Sequence, residues 1–204
     1  PRRSLAGGHS AGANRRQATP DRQGMNVATR GLAVLLWAAG LAWTPSPAQA
    51  AELTVVLVRH AEKAEDDPRD PALSEAGQAR ALALAQALAA SPPDAIYATH
   101  LRRTVQTAGP THGASGAALS IRSAQEPAAD LASHILERHA RGTILVVGHS
   151  NTLPDIVQAL TGVAVPPIDE QEYDRVHVAI LSPGTTARLV TFRYGAPSVP
   201  PMAE

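Results

Sequence analysis

Arg59 and His60 stand side by side where the aliphatic run Leu53-Thr54-Val55-Val56-Leu57-Val58 stops. A second histidine, His149, follows Gly148 at the end of another apolar run, Ile144 to Val147, and two further arginines, Arg102 and Arg103, lie close behind Thr99 and His100. These residue types suit phosphoryl transfer. A phosphoryl group brings negative charge on three equatorial oxygens and needs fixed donors and a nucleophile. Arginine grips phosphate oxygens in pairs, which lysine cannot copy. A histidine can attack phosphorus through one ring nitrogen while a backbone carbonyl holds the other, which makes His60 the candidate nucleophile and His149 a donor to the transferring oxygens. Such a crowd of cations would repel a metal, so neither metal nor cofactor is expected.

The elements that must position these side chains follow from the apolar pattern. Leu53 to Val58 and Thr143 to Val147 read as strands buried on both faces, and in an open α/β sheet ligands bind at the carboxyl ends of such strands. Residues 64–71, rich in Asp, Glu and Pro, form a solvated loop. Ser74 caps a helix carrying Leu82, Leu84 and Leu88 to Ala90. A short strand over Ala95–Ala98 precedes a helix from Leu101 to His112, closed at Gly113. A third strand over Leu119–Ile121 leads to a helix that starts at Pro127 and runs to Ala140. Thr152 to Leu160 is helical, and Val176–Leu181 with Ala187–Tyr194 form a closing hairpin. Strands alternating with helices predict a three-layer α/β/α sandwich with a mostly parallel central sheet.

Four stretches carry a resemblance: Val58-Arg59-His60-Ala61-Glu62, Leu73-Ser74-Glu75-Ala76-Gly77-Gln78-Ala79-Arg80, Tyr97-Ala98-Thr99-His100-Leu101-Arg102-Arg103-Thr104-Val105-Gln106-Thr107-Ala108, and Val147-Gly148-His149-Ser150-Asn151. In this order they resemble the histidine phosphatase superfamily, the phosphoglycerate-mutase-like group. The resemblance implies that Arg59 binds phosphate and His60 is phosphorylated. Counting back four residues from Thr107 selects Arg103 as the second phosphate-binding arginine, and His149 matches the second histidine. Thr99 stands where the family usually has serine.

The same resemblance leaves the general acid open. One branch places an aspartate directly after the second histidine, where this chain has Ser150 and Asn151; another uses a glutamate between the second and third blocks. Glu126, Asp130 and Glu137 lie there, and Glu126, ahead of the third helix, is the candidate. The sequence that follows this glutamate in mutases is absent, which weakens a mutase reading. Lys63, Thr99, His100 and Asn151 are expected at the pocket rim, with Glu62 also within reach of a substrate. His112, His134, His139 and His177 are read as surface or satisfied polar residues.

Lys plus Arg equals Asp plus Glu at 18 each, but six basic residues and only Asp21 precede Ala51, leaving 12 basic against 17 acidic residues beyond it. That balance gives no reason to expect nucleic-acid binding. No cysteine is present, so no disulfide framework is available. Residues 1–24 have almost no large apolar side chain, Leu5 apart, and read as a disordered or non-native leader. From Met25, a short basic region, a 13-residue apolar run ending at Trp43, and Ala48-Gln49-Ala50 have the layout of a signal peptide over residues 25–50. The run is short for a membrane span of about 20 residues, so no stable anchor is expected after cleavage. A single domain over residues 51–196 and a frayed tail over 197–204 complete the organisation. The expected protein is a periplasmic or secreted phosphomonoesterase acting on a small-molecule phosphate ester. The alternatives are a secreted phosphate- or phosphosugar-binding protein without turnover and a phosphomutase.

Overall fold

Strand β1 (Leu53–Arg59) sends Val55 and Leu57 into one core cluster and Val56 and Val58 into another, which is why its sequence is apolar without alternation. The computed structural model describes residues 52–198. The expected leader and signal peptide lie outside the described residues, as does the tail beyond Ser198. Around β1 the chain adds α1 (Glu75–Ala87), β2 (Ala95–Thr99), α2 (Arg102–Ser115), β3 (Ala118–Arg122), α3 (Ala128–Arg138), β4 (Gly142–Gly148), α4 (Leu153–Thr161), β5 (Arg175–Leu181) and β6 (Arg188–Arg193). The six strands form one sheet in the order β3-β2-β4-β1-β5-β6. β3, β2, β4 and β1 are parallel; β5 and β6 form the antiparallel hairpin. Helices α1 and α2 cover one face around Leu84, Ile96 and Val147, while α3 and α4 cover the other around Ile135, Val146 and Val157. This is the expected three-layer α/β/α sandwich. Among the described residues no helix is long and apolar enough to cross a membrane.

Several boundaries differ from expectation for physical reasons. Helix α2 passes Gly113 and ends at Gly116, whose φ of 69° is the left-handed cap that glycine adopts without strain. Buried Thr107, Ala108 and Thr111 keep it packed on the sheet through Pro110. Helix α1 ends at Ala87 rather than Ala90, and Leu82 is exposed, because Leu84 and Leu88 share a face that a residue two positions earlier cannot join. At the far end of the described residues Ser198 is held: its Oγ accepts from the amides of Tyr173 and Asp174, and its own amide donates to Asp174 Oδ2.

The second sequence block is explained by packing. Ser74 caps α1 by accepting from the Gly77 amide at 3.1 Å. A Cβ on Gly77 would overlap the carbonyl oxygen of Glu62, so the first turn of α1 can lie against the loop after β1 only without a side chain there. Gly77→Ala is therefore expected to cost about 1–3 kcal/mol by overpacking and to lower any activity through displacement of residues 60–63. A urea titration checks it: an unchanged midpoint would show that the helix can shift freely.

Candidate active site

The parallel register brings the chemistry to one edge. Arg59 pairs with Gly148 across β1 and β4, and Ala98 pairs with Val147 across β2 and β4, so Thr99, His149 and His60 all emerge at the same carboxyl end. The His60 amide donates to Gly148 O at 2.9 Å, tying the two strand ends together. His60 Nδ1 lies 2.8 Å from Ala61 O. A carbonyl oxygen only accepts, so Nδ1 carries the proton and Nε2 keeps its lone pair. Ala61 is itself fixed: its amide donates to Thr107 Oγ1 at 2.9 Å, and the Thr107 hydroxyl donates to Arg103 O at 2.7 Å. Thr107 of the third block thus holds the residue whose carbonyl orients the His60 ring.

Arg59 is buried to 1% exposure and does two things. One terminal nitrogen donates to the carbonyls of Asp169, Glu170 and Glu172 at 2.7, 2.8 and 3.1 Å, and the guanidinium stacks on Tyr173, 4.2 Å from the ring centroid. Its other terminal nitrogen meets Glu170 Oε2 at 3.1 Å, and its Nε is buried without a partner. The edge formed by Nε and that second nitrogen is the one left for an oxyanion. Arg103 Nε is likewise buried and unpartnered, and its terminal nitrogen reaches only Asp70, at 3.8 Å.

His149 completes the set, with its ring centroid 5.4 Å from that of His60. Its Nε2 lies 3.0 Å from Thr99 Oγ1, which lies 2.9 Å from Thr104 Oγ1. Thr104 has backbone acceptors at Leu101 O, 2.7 Å, and Thr99 O, 2.9 Å, so its single proton goes to one of them. The Thr99 hydroxyl then donates to Thr104, and His149 Nε2 donates to Thr99. That leaves Nδ1 of His149 as the atom that can meet a substrate oxygen. Thr99→Val removes the acceptor and is expected to lower kcat about 10- to 100-fold, the scale of one hydrogen bond to a charged group, with KM little changed. Equal turnover of Thr99→Val and wild type would remove the hydroxyl relay from the account.

Both histidines are neutral in the unliganded site. Desolvation by burial pulls His60 from 6.5 down to about 3, with the backbone bond to Ala61 opposing and the Arg59 charge, repulsion from a protonated His149 and the Arg103 charge adding to the drop. Burial, then Arg103, Arg59 and His100, lowers His149 to about 4. In the unfolded chain these groups take up protons near pH 6.5, whereas in the fold they resist down to about 3 and about 4. Between those limits the unfolded state binds more protons, so stability falls as pH drops from about 6.5, by up to about 1.4 kcal/mol per pH unit for each histidine. Urea midpoints should decline from pH 7 to pH 4.5, and decline less steeply in the double variant His60→Ala/His149→Ala. Parallel declines would assign the acid sensitivity elsewhere. A bound phosphate reverses the electrostatic balance and favours protonated His149.

These groups line an open pocket of about 280 Å³ together with Lys63, Leu101, Ala124, Gln125, Ser150, Asn151 and Glu170. Arg59, His60, Arg103 and His149 therefore meet as expected, and Lys63 and Asn151 lie at the rim. Thr99 is placed behind His149 rather than at the rim, because its hydroxyl faces inward to Thr104. His100 is exposed and does not line the pocket, its amide being drawn to Arg122 O. Glu62 turns away from the site into a buried pair with Arg80, whose Nε and terminal nitrogen lie 2.7–3.0 Å from its oxygens.

Glu126 is not brought to the pocket. Both its oxygens accept from Arg122, four residues earlier, and it lines a separate cavity behind Thr99. Sequence reasoning missed Glu170, which lies on the segment between α4 and β5 that Arg59 fastens through backbone carbonyls. Carbonyl acceptors leave no signature in a sequence. Of the remaining histidines, His112 meets Ala117 O and His139 meets the Tyr97 hydroxyl, each a satisfied polar residue. His177 is buried, with Nδ1 on Thr191 Oγ1 and Nε2 unpartnered.

Known proteins share sequence stretches and the fold with this chain. The family described as Histidine phosphatase superfamily (branch 1) matches residues 55–124, which hold Arg59, His60, Thr99, Arg103 and Thr107. No curated protein sequence matches significantly. Among solved structures, a Nakamurella multipartitia protein carrying the provisional name phosphohistidine phosphatase SixA is 23% identical, covering 72% of this chain and 99% of its own, with a TM-score of 0.57. The protein histidine phosphatase SixA complexed with tungstate is 17% identical, with coverages of 69% and 96% and a TM-score of 0.56. A mycobacterial glucosyl-3-phosphoglycerate phosphatase is 14% identical, with coverages of 71% and 100% and a TM-score of 0.57. At these identities the structures share the fold. Over residues 55–124 the chain is similar to the histidine phosphatase superfamily, and that stretch sits in the shared fold where the strand ends converge.

Proposed function

We propose that this chain is an exported phosphomonoesterase that hydrolyses a small-molecule phosphate ester through a phosphohistidine intermediate on His60. The observation that carries the reading is a neutral, buried His60 whose Nδ1 proton is held by Ala61 O, beside two buried arginine Nε atoms without partners. In the first step the Nε2 lone pair attacks phosphorus and the bond to the ester oxygen breaks, its electron pair leaving with that oxygen. Arg59, Arg103 and protonated His149 hold the equatorial oxygens as charge develops. In the second step water adds to phosphorus, the P–N bond breaks, and the electron pair returns to Nε2. The export part of the reading rests on the signal-peptide pattern from Met25 to Ala50.

Steady-state hydrolysis of 4-nitrophenyl phosphate, with tungstate as a competing tetrahedral oxyanion, tests the reading. Turnover inhibited competitively by tungstate is expected. Tight retention of phosphate with no hydrolysis across a broad ester panel would establish the binding-protein alternative instead.

A further inference from the structure

Cleaving a phosphate ester of an ordinary alcohol leaves an alkoxide that needs a proton, and a residue supplying it contributes about 10²–10⁴-fold. Glu126 lies outside the pocket lining and is paired with Arg122, the ammonium and guanidinium groups of Lys63, Arg59 and Arg103 are far weaker acids than a carboxylic acid, and His149 is engaged with the equatorial oxygens in the proposed mechanism. Among the residues lining the pocket, Glu170 is the one carboxyl group. Its side chain is 74% exposed and stands at the mouth, whereas His60 is buried on the floor. In-line displacement sends the leaving oxygen away from His60 Nε2, from floor to mouth.

The carboxyl group is also held in place. Glu170 Oε1 accepts from Ser150 Oγ at 2.7 Å, and Ser150 follows His149 directly; Oε2 accepts from Arg59 at 3.1 Å. Its backbone carbonyl is fixed by the other terminal nitrogen of Arg59. The segment is therefore anchored to the phosphate-binding arginine itself, so a substrate that engages Arg59 arrives beside Glu170.

We propose that Glu170 is the proton-transfer residue of the reaction proposed above, protonating the leaving oxygen as His60 is phosphorylated and deprotonating the water that releases phosphate. The inference rests on the phosphatase reading. In the first step the Glu170 proton joins the leaving oxygen, which departs as the alcohol with the electron pair of the broken P–O bond. In the second, the carboxylate takes a proton from water as the water oxygen bonds to phosphorus and the P–N electron pair returns to His60. The proton is thereby restored to Glu170, and inorganic phosphate leaves. In the empty pocket the Ser150 hydroxyl, the Arg59 guanidinium and the Lys63 charge hold Glu170 below the usual carboxylate range. A phosphate on Arg59 displaces Oε2 and sets negative charge beside it, which favours the protonated acid.

The test compares wild type, Glu170→Gln and Glu126→Gln on phosphate esters of graded leaving-group acidity, reading kcat/KM, which reports phosphorylation of His60. Glu170→Gln should lose about 10²-fold or more on alkyl phosphates and less than about threefold on 4-nitrophenyl phosphate, whose leaving group needs no proton. Glu126→Gln should lose the same small factor on every ester. Glutamine can still accept from Arg59 through its oxygen and donate from its amide nitrogen to Ser150 Oγ, and the exposed site tolerates it, so folding does not confound the comparison. Equal losses on all esters, or no loss on any, overturn the assignment of Glu170 while leaving the phosphatase reading intact. Absence of wild-type turnover on the good leaving group overturns the phosphatase reading, and this inference with it.

Discussion

Replacement of His60 by alanine should bring ester hydrolysis below detection while tungstate still binds, because Arg59 and Arg103 retain their unpartnered Nε atoms. In the proposed mechanism His60 carries the covalent step, and His149 does not replace it: its Nε2 donates to Thr99, and a bound phosphate favours protonation of its Nδ1, which removes the lone pair that could attack. Stability should change little at pH 7. The imidazole makes one side-chain bond, to Ala61 O, and the fold holds it neutral against its own solvation. At acid pH the variant should be the more stable of the two, since the unfolded wild type gains a proton that the variant cannot take up. Turnover by His60→Ala within about tenfold of wild type would mean that water attacks directly, and the covalent account would fail.

The arginines should separate function from structure. Arg59 serves the carbonyls of Asp169, Glu170 and Glu172 from one nitrogen while offering another edge to the oxyanion. Arg59→Ala leaves those carbonyls without a charged donor and empties a buried site against Tyr173, a loss of about 3–5 kcal/mol, together with loss of turnover by 10³-fold or more as both an oxyanion donor and the seat of Glu170 disappear. Arg103 holds only a distant Asp70. Arg103→Ala should therefore lose about 10²- to 10³-fold in turnover with its urea midpoint nearly unchanged. Equal destabilisation of the two variants would contradict the dual role of Arg59.

The contrast shows which parts of this protein can be read from its sequence. Strand ends are local: an aliphatic run that stops at Arg59-His60 or at Gly148-His149 carries both the strand and the side chains it presents, and the sheet register needs only to align them. The third block was legible for a reason the sequence alone does not give, since Thr107 acts on His60 through the Ala61 amide, 46 residues away. Glu170 was invisible because its anchor is a contact between Arg59 and backbone carbonyls more than a hundred residues further on. Glu126 did carry a warning: Arg122 precedes it by four residues, a spacing at which two such side chains meet. The exposed Leu82 and Leu136 likewise stand off the faces defined by Leu84 with Leu88 and by Leu131 with Ile135.

The proposed mechanism requires phosphate to be bonded to His60 during turnover. Quenching the wild-type protein within the first turnovers of 4-nitrophenyl phosphate, and mapping bound phosphate by mass spectrometry, addresses it directly. The expected result is an acid-labile, base-stable phosphate on the peptide containing His60, absent from His60→Ala and longer-lived in Glu170→Gln. Turnover with no phosphate on that peptide, or with phosphate on His149 instead, would contradict it.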